Sequence, residues 1–239
     1  MPLEILPKSP SGEYLCLSNL NLYDSSDCQK LATQASEGRR LQVISSVRGN
    51  NAIKIRLCED DYEAWLPAEK IGQLQPTETK YKAIAVSRAE IEPKLPQLID
   101  FTKKAMQKPN YYLWGGTVAP NYDCSGLMQA AFASIGVWLP RDSYQQQAFT
   151  QKISLEELRS GDLIFFGQEK VNHVALHLGN LDYIHSSGKE MGNNGIGINK
   201  LCDGENEVNR NYYQIFWSCG RVISSYKKNS PKCNRKLWK

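Results

Sequence analysis

Between Leu15 and Leu66 apolar and polar residues alternate in short stretches. In "AIKIRL", Ile53, Ile55 and Leu57 point one way and Lys54 and Arg56 the other, the two-residue period of a half-buried strand. "VRGNNAI" and "CEDDYE" carry the Gly, Asn and Asp that turns need. Several short strands closed by such turns predict a small β-barrel of about 60 residues, because one isolated hairpin cannot bury a core.

The period lengthens at Leu95. There Leu95, Leu98, Ile99, Thr102, Ala105 and Met106 fall on one helical face, with Pro96 tolerated in the first turn. A second helix is predicted from Cys124, with Asp123 as its N-cap, Leu127, Ala130, Ala131, Ser134 and Ile135 at helical spacing, and Gly136 as a left-handed stop. Strands are predicted at 162–167, 173–179, 182–188 and 212–224. Helices followed by an antiparallel sheet define an α+β fold. Pro76, Pro93 and Pro96 among charged residues read as a connector, within which Ser87 and Glu90 form a capping-box pattern. The division expected is therefore a barrel over 1–76, a linker over 77–94, an α+β domain over 95–226 and a basic tail over 227–239.

Composition narrows the classes. The 239 residues, 41% of them apolar, suffice for two cores. No apolar run is long enough for a membrane span, and "MPLEILPKSPSGEY" lacks the basic-then-apolar order of a signal peptide, so a cytoplasmic chain is expected. Seven cysteines without a CxxC pair argue against a disulfide scaffold and a structural zinc. The net charge of +4 comes from the tail, whose six Lys and Arg leave 23 basic against 25 acidic residues elsewhere. No nucleic-acid or membrane partner is expected from that balance, and the tail reads as a solvated terminus.

Cys124 stands out chemically. At the first turn of a helix a thiol meets unpaired N–H groups and the positive end of the dipole, which favour the thiolate. A cysteine is more often a packing residue, but Asp123, Ser125 and Gly126 are poor company for one, and Gly126 admits a close backbone or substrate. The three histidines, His173, His177 and His185, lie within 13 residues on one predicted hairpin. Strand alternation sends Val174, Leu176 and Leu178 to the core and leaves His173 and His177 on the other face. His173 and His185 share a face only if paired indices sum to an even number, so an odd-length loop or a bulge is predicted near "GNLD".

With those residues in place, "YYLWGG", "YDCSGLMQ", "LPRDSYQQ", "SGDLIFFG", "VNHVALHLG" and "YIHSSG" resemble, in that order over residues 96–224, the NlpC/P60 family of papain-like cysteine peptidases. "LNLYDSS", "LATQASEGRRLQVI" and "DYEAWLP" resemble a bacterial SH3-like (SH3b) barrel. The resemblance implies a papain-like catalytic domain behind an SH3b barrel, a Cys124–His173–His185 triad, and an oxyanion donor at Tyr112 beside the Cys124 N–H. It further implies a substrate with a free N-terminal L-Ala, its ammonium met by Asp123 and Asp142, with Ser125 and Trp114 completing the pocket and Tyr62 the barrel's contact. Trp65 is read as a barrel core residue, and Glu59, Asp60, Asp61 and Glu63 are each open as a barrel acid for the ammonium. Asp123 also reads as a plain helix cap, Arg141 as a substrate-carboxylate contact or a structural ion-pair member, and "SGKEMGNNGIGINK" as a flexible loop or a border of the leaving-group side.

The function so implied is hydrolysis of the γ-D-glutamyl-diaminopimelate bond of murein peptides during peptidoglycan recycling, by a monomer that needs no cofactor or metal. Alternatives are an acyltransferase or amidase using the same triad, a non-catalytic wall-peptide binding protein, and a zinc hydrolase using Cys124, His173 and His185, for which no HExxH helix is present.

Overall fold

The computed structural model describes residues 6–46, 51–204 and 206–227. The basic tail lies outside the described residues apart from Lys227.

Seven strands form the N-terminal barrel: β1 (Glu13–Cys16), β2 (Leu20–Tyr23), β3 (Leu31–Ala35), β4 (Arg40–Ser46), β5 (Ala52–Leu57), β6 (Glu63–Pro67) and β7 (Leu74–Pro76). They pair in the order β3-β2-β6-β5-β4-β1-β7. Ile53, Ile55 and Leu57 alternate into the same interior as Leu22, Leu41 and Leu66, as their period requires. Trp65 is only half-buried and faces away from that interior. The position falls between Ala64 and Leu66, both inward, so alternation turns it out.

Of the expected linker, the second half is packed. Ser87 caps α1 (Arg88–Ile91) through a capping box with Glu90, and Val86 and Ile91 are buried in the catalytic-domain core. Helix α2 (Leu95–Met106) lays the predicted face, from Leu95 to Met106, on that core. After a short hairpin of β8 (Thr117–Val118) and β9 (Asn121–Tyr122) comes α3 (Cys124–Ala133), and Gly136 beyond it takes φ +82°. The sequence reading did not foresee α4 (Ser143–Phe149), capped by Asp142.

The second sheet runs β10-β15-β11-β12-β13-β14, built from β10 (Gln151–Ile153), β11 (Leu163–Gly167), β12 (Val171–Gly179), β13 (Asp182–Ser187), β14 (Gly195–Lys200) and β15 (Phe216–Arg221). Two expectations change here. The strand expected over 212–224 begins only at Phe216, because Asn206 caps α5 (Glu207–Gln214) by accepting from the Asn209 N–H. The Gly/Asn-rich loop contains β14, where Ile196 and Ile198 alternate with Gly195, Gly197 and Asn199. Consequently both sheet faces are buried: α2 and α3 cover one, and Tyr212 of α5 closes a second cluster with Phe166, Ala175 and Tyr183 on the other. His173 and His177 project into this second core rather than toward solvent, and each is under a tenth exposed.

The hairpin register shows how the histidines meet. Asn180 and Leu181, with φ of 51° and 64°, form a two-residue turn that pairs Gly179 with Asp182. A register shift between His177 and Gly179 then gives Leu176↔Ile184 and His177↔Tyr183, an even sum. The bulge required near "GNLD" is present. Carrying that sum on sets Ala175 opposite His185, so the two histidines are diagonal neighbours on one face rather than directly opposed.

Candidate active site

Cys124 is the first residue of α3 and lines a cleft of about 370 Å³ between barrel and catalytic domain. Its Sγ rests against β12, 4.0 Å from the Asn172 carbonyl, and the Val174 and Ser125 N–H groups also face it. Burial pushes the thiol up to about 12, and Asp123 adds to the rise, against the pull of those N–H groups and Arg141. Desolvation thus outweighs the helix start, and the expected resting thiolate is a neutral thiol.

His173 Nε2 lies 2.7 Å from His185 Nδ1, with the rings perpendicular. Its Nδ1 carries no hydrogen bond among the described residues, and none joins it to Cys124. Burial holds His173 well below the ordinary histidine range, with His185 adding to it, and holds His185 down to about 4 despite its bond to Asn199. The pair is neutral at neutral pH. Tyr212 closes over both rings, 4.7 and 4.8 Å from their centroids. Beyond His185, Nε2 meets Asn199 Oδ1 at 2.9 Å. Asn199 and Tyr212 were not foreseen because their segments were read as loop and strand; the Ile196/Ile198 alternation was the available signal for β14.

On the other side of Cys124, Asp123 is saturated. Its Oδ1 accepts from the Gly126 N–H at 2.6 Å, the Ser125 hydroxyl and Arg141 Nη1, and its Oδ2 accepts from the Gly115 N–H and from Arg141 Nη2 at 2.5 Å. Five donors exceed the four lone-pair directions of a carboxylate. The cap reading therefore describes this geometry, and Asp123 and Ser125 also line the cleft. Arg141 is the structural ion-pair member: 2% exposed, it also donates to Ser125 Oγ at 2.9 Å and to Thr33 Oγ1 of β3 at 2.8 Å, tying barrel to catalytic helix. Gly126 admits the Gly116 carbonyl, which a methyl group there would strike.

Tyr112, Trp114, Tyr62 and Asp142 all line the cleft. Trp114 is exposed, with Lys30 Nζ 5.9 Å from its ring centroid. Burial raises the Tyr112 hydroxyl, with Cys124 and Asp123 contributing, which keeps it a protonated donor. The four barrel acids left open lie elsewhere: Glu59 and Asp60 pair with Arg39, Asp61 approaches the Tyr226 hydroxyl, and Glu63 pairs with Lys54 and Arg56. The barrel acid that does line the cleft is Asp24. Among the described residues six cysteines are free, no three His, Cys, Asp or Glu side chains are grouped to hold a metal ion, and no helix is long and apolar enough to cross a membrane.

Comparison with known proteins agrees with this architecture. The NlpC/P60 family matches residues 109–221 and the bacterial dipeptidyl-peptidase Sh3 domain matches residues 22–71. A γ-D-glutamyl-L-lysine dipeptidyl-peptidase of Bacillus cereus is 38% identical over 98 residues, 39% of this chain and 29% of that protein. A probable endopeptidase NlpC homolog of Haemophilus influenzae is 42% identical over 77 residues, 32% of this chain and 41% of that protein. The chain thus matches less than half the length of each. A crystal structure of an NlpC/P60 family protein from Bacillus cereus superposes with a TM-score of 0.47 at 23% identity, covering 89% of this chain and 64% of that one. The chain thus joins a bacterial dipeptidyl-peptidase Sh3 domain over residues 22–71 to an NlpC/P60 domain over residues 109–221, and shares the latter with proteins named as endopeptidases and dipeptidyl-peptidases.

Proposed function

We propose that this chain is a cysteine endopeptidase that hydrolyses the γ-D-glutamyl-diaminopimelate bond of murein peptides bearing a free N-terminal L-Ala, acting as a cytoplasmic monomer in wall-peptide recycling. The observation that carries the reading is Cys124 at the start of α3, lining a cleft and packed against β12 on either side of His173, whose ring is held by His185.

With thiol and imidazole both neutral, the proton leaves during attack rather than before it. His173 Nδ1 takes the Cys124 proton as sulfur adds to the scissile carbonyl, and a small approach of ring and sulfur on substrate binding completes the contact. The Cys124 N–H and the Tyr112 hydroxyl receive the oxyanion. His173 then gives the proton to the leaving amine, the acyl-enzyme forms, and water resolves it. Asp142 and Asp24 flank the cleft where the L-Ala ammonium would sit, and Asp123 acts through Arg141 and the cap.

The test is incubation with L-Ala-γ-D-Glu-diaminopimelate. Free diaminopimelate is expected from the intact chain and none from Cys124→Ala, which should still bind the tripeptide; undiminished release by that variant would end the proposal. A second reading, a wall-peptide binding protein without turnover, is favoured by the buried sulfur and its missing bond to His173. Saturable binding without product would establish it. Transfer of the acyl group to an added amine in preference to water would instead mark an acyltransferase.

A further inference from the structure

We propose that Asn199, anchored by Asn209, is a positioning residue that fixes the tautomers of both histidines and leaves the basic lone pair on His173 Nδ1. This deepens the peptidase reading and rests on it only for its kinetic consequences.

A backbone N–H can only donate, and the chain of assignments starts from one. The Lys200 N–H meets Asn209 Oδ1 at 3.0 Å, which identifies that atom as the amide oxygen. The same oxygen lies 3.0 Å from Asn199 Nδ2, so Asn199 turns its own Oδ1 to His185 Nε2, 2.9 Å away. His185 must then carry its proton on Nε2, and its Nδ1 must accept. The donor across the 2.7 Å contact is His173 Nε2, which leaves Nδ1 of that ring unprotonated.

A competitor sits beside the relay. Strand pairing sets Gly197 opposite His185, and the missing side chain admits Asn193, whose Nδ2 lies 3.0 Å from His185 Nε2 and 2.9 Å from Asn199 Oδ1. While Asn199 is present, its oxygen takes both donors. Without it, the Asn193 amide is the remaining neighbour of His185 Nε2, and in the orientation it holds here it donates to that nitrogen. His185 would then be protonated on Nδ1, His173 Nε2 would accept, and the His173 proton would move to Nδ1, where it blocks base catalysis. Asn199 and Asn193 thus select opposite tautomers of one relay.

Long-range ¹⁵N–¹H correlation spectra of the full chain at neutral pH read the tautomers without reference to activity. Both rings should be protonated on Nε2 in the parent and on Nδ1 in Asn199→Ala, with kcat on the tripeptide falling by up to about 10⁴-fold, the scale of a wrong tautomer, at little change in KM. Adding Asn193→Ala to Asn199→Ala should return Nε2–H signal and recover at least about tenfold of the loss, since no donor then enforces the inversion. Should Asn199→Ala fail to fold, Asn199→Asp keeps the shape and the acceptor: the tautomers should stay and the acid limb of the rate profile should move to higher pH. The neighbours of the pair, Tyr183, Tyr212 and Cys124, are neutral in that range. Nδ1 protonation in the parent, unchanged tautomers in Asn199→Ala, or an unmoved acid limb in Asn199→Asp would each overturn the proposal. Inverting tautomers in a chain whose parent never cleaves the peptide would uphold it and remove the peptidase reading instead.

Discussion

Two buried polar networks flank Cys124, and they are built on opposite principles. The Asp123–Arg141 network is charged, oversupplied with donors and bonded to both domains. The His173–His185–Asn199 chain is uncharged, and both of its histidines are held below their ordinary range. A buried ion pair with every lone pair filled is hard to rearrange, so it holds the helix start and the barrel at fixed positions. A neutral relay has two proton arrangements, and the partner at its far end, here Asn199, selects which one is held without any movement of heavy atoms. The cleft therefore has one wall that sets geometry and one that does chemistry.

The largest effect should come from breaking the charged wall. Arg141→Leu leaves the Asp123 carboxylate buried without its cation, and unfolding in urea should show a loss of about 3–5 kcal/mol. A loss under about 1 kcal/mol, the range of an exposed pair, would mean the network is wetter than its 2% exposure indicates. Gly126→Ala comes next. A methyl group there meets the Gly116 carbonyl, and displacing that backbone should cost about 1–3 kcal/mol. Alkylation of Cys124 should also speed up in this variant, since the cap beside it loosens.

The neutral wall predicts a dependence on pH. A histidine whose folded-state value is lowered binds fewer protons folded than unfolded, so stability is full above about pH 6.5 and falls as the pH drops toward about 4. Denaturation midpoints should fall over that window in the parent and less steeply in His185→Gln, where the buried His173 remains. Equal slopes in both would show that the histidine pair is not the titrating element.

How much of this was legible depended on what carried the signal. The barrel interior, α2, α3 with its Asp123 cap, and the hairpin bulge all follow from periodicity, turn chemistry or parity, which are local. Cys124 was singled out by its polar neighbours at a predicted helix start, and His173 and His185 by the restriction of all three histidines to one hairpin. What escaped was set by elements the pattern disguised. The glycines and asparagines of β14 masked its alternation, and reading Tyr212 as strand hid α5, without which the second face of β12 has no cover. The saturation of Asp123 was equally illegible, because Gly115, Arg141 and Thr33 come from three separate segments. The thiolate expected at a helix start failed for a related reason: position along a helix is written in sequence, but desolvation by β12 is not.

The smallest effect lies at the open end of the cleft. Asp24 is exposed on the barrel rim, where its Oδ1 accepts from the Ser25 hydroxyl at 3.0 Å, and it replaces the four acids that the barrel turns toward its own arginines, Lys54 and Tyr226. An exposed carboxylate facing an ammonium contributes about 0.2–1 kcal/mol, so Asp24→Asn should raise KM for the free-amine tripeptide by about two- to fivefold and leave kcat alone. The effect should shrink with added salt and vanish when the amine is acetylated. Asp142→Asn acts from the other side of the same pocket, and because Asn caps a helix as well as Asp does, its KM change should come with little loss of stability despite the role of Asp142 in capping α4. If both variants left KM unchanged for the free and the blocked peptide alike, the cleft would recognise something other than an N-terminal amine, and the rigid wall would owe its charge to joining the domains alone.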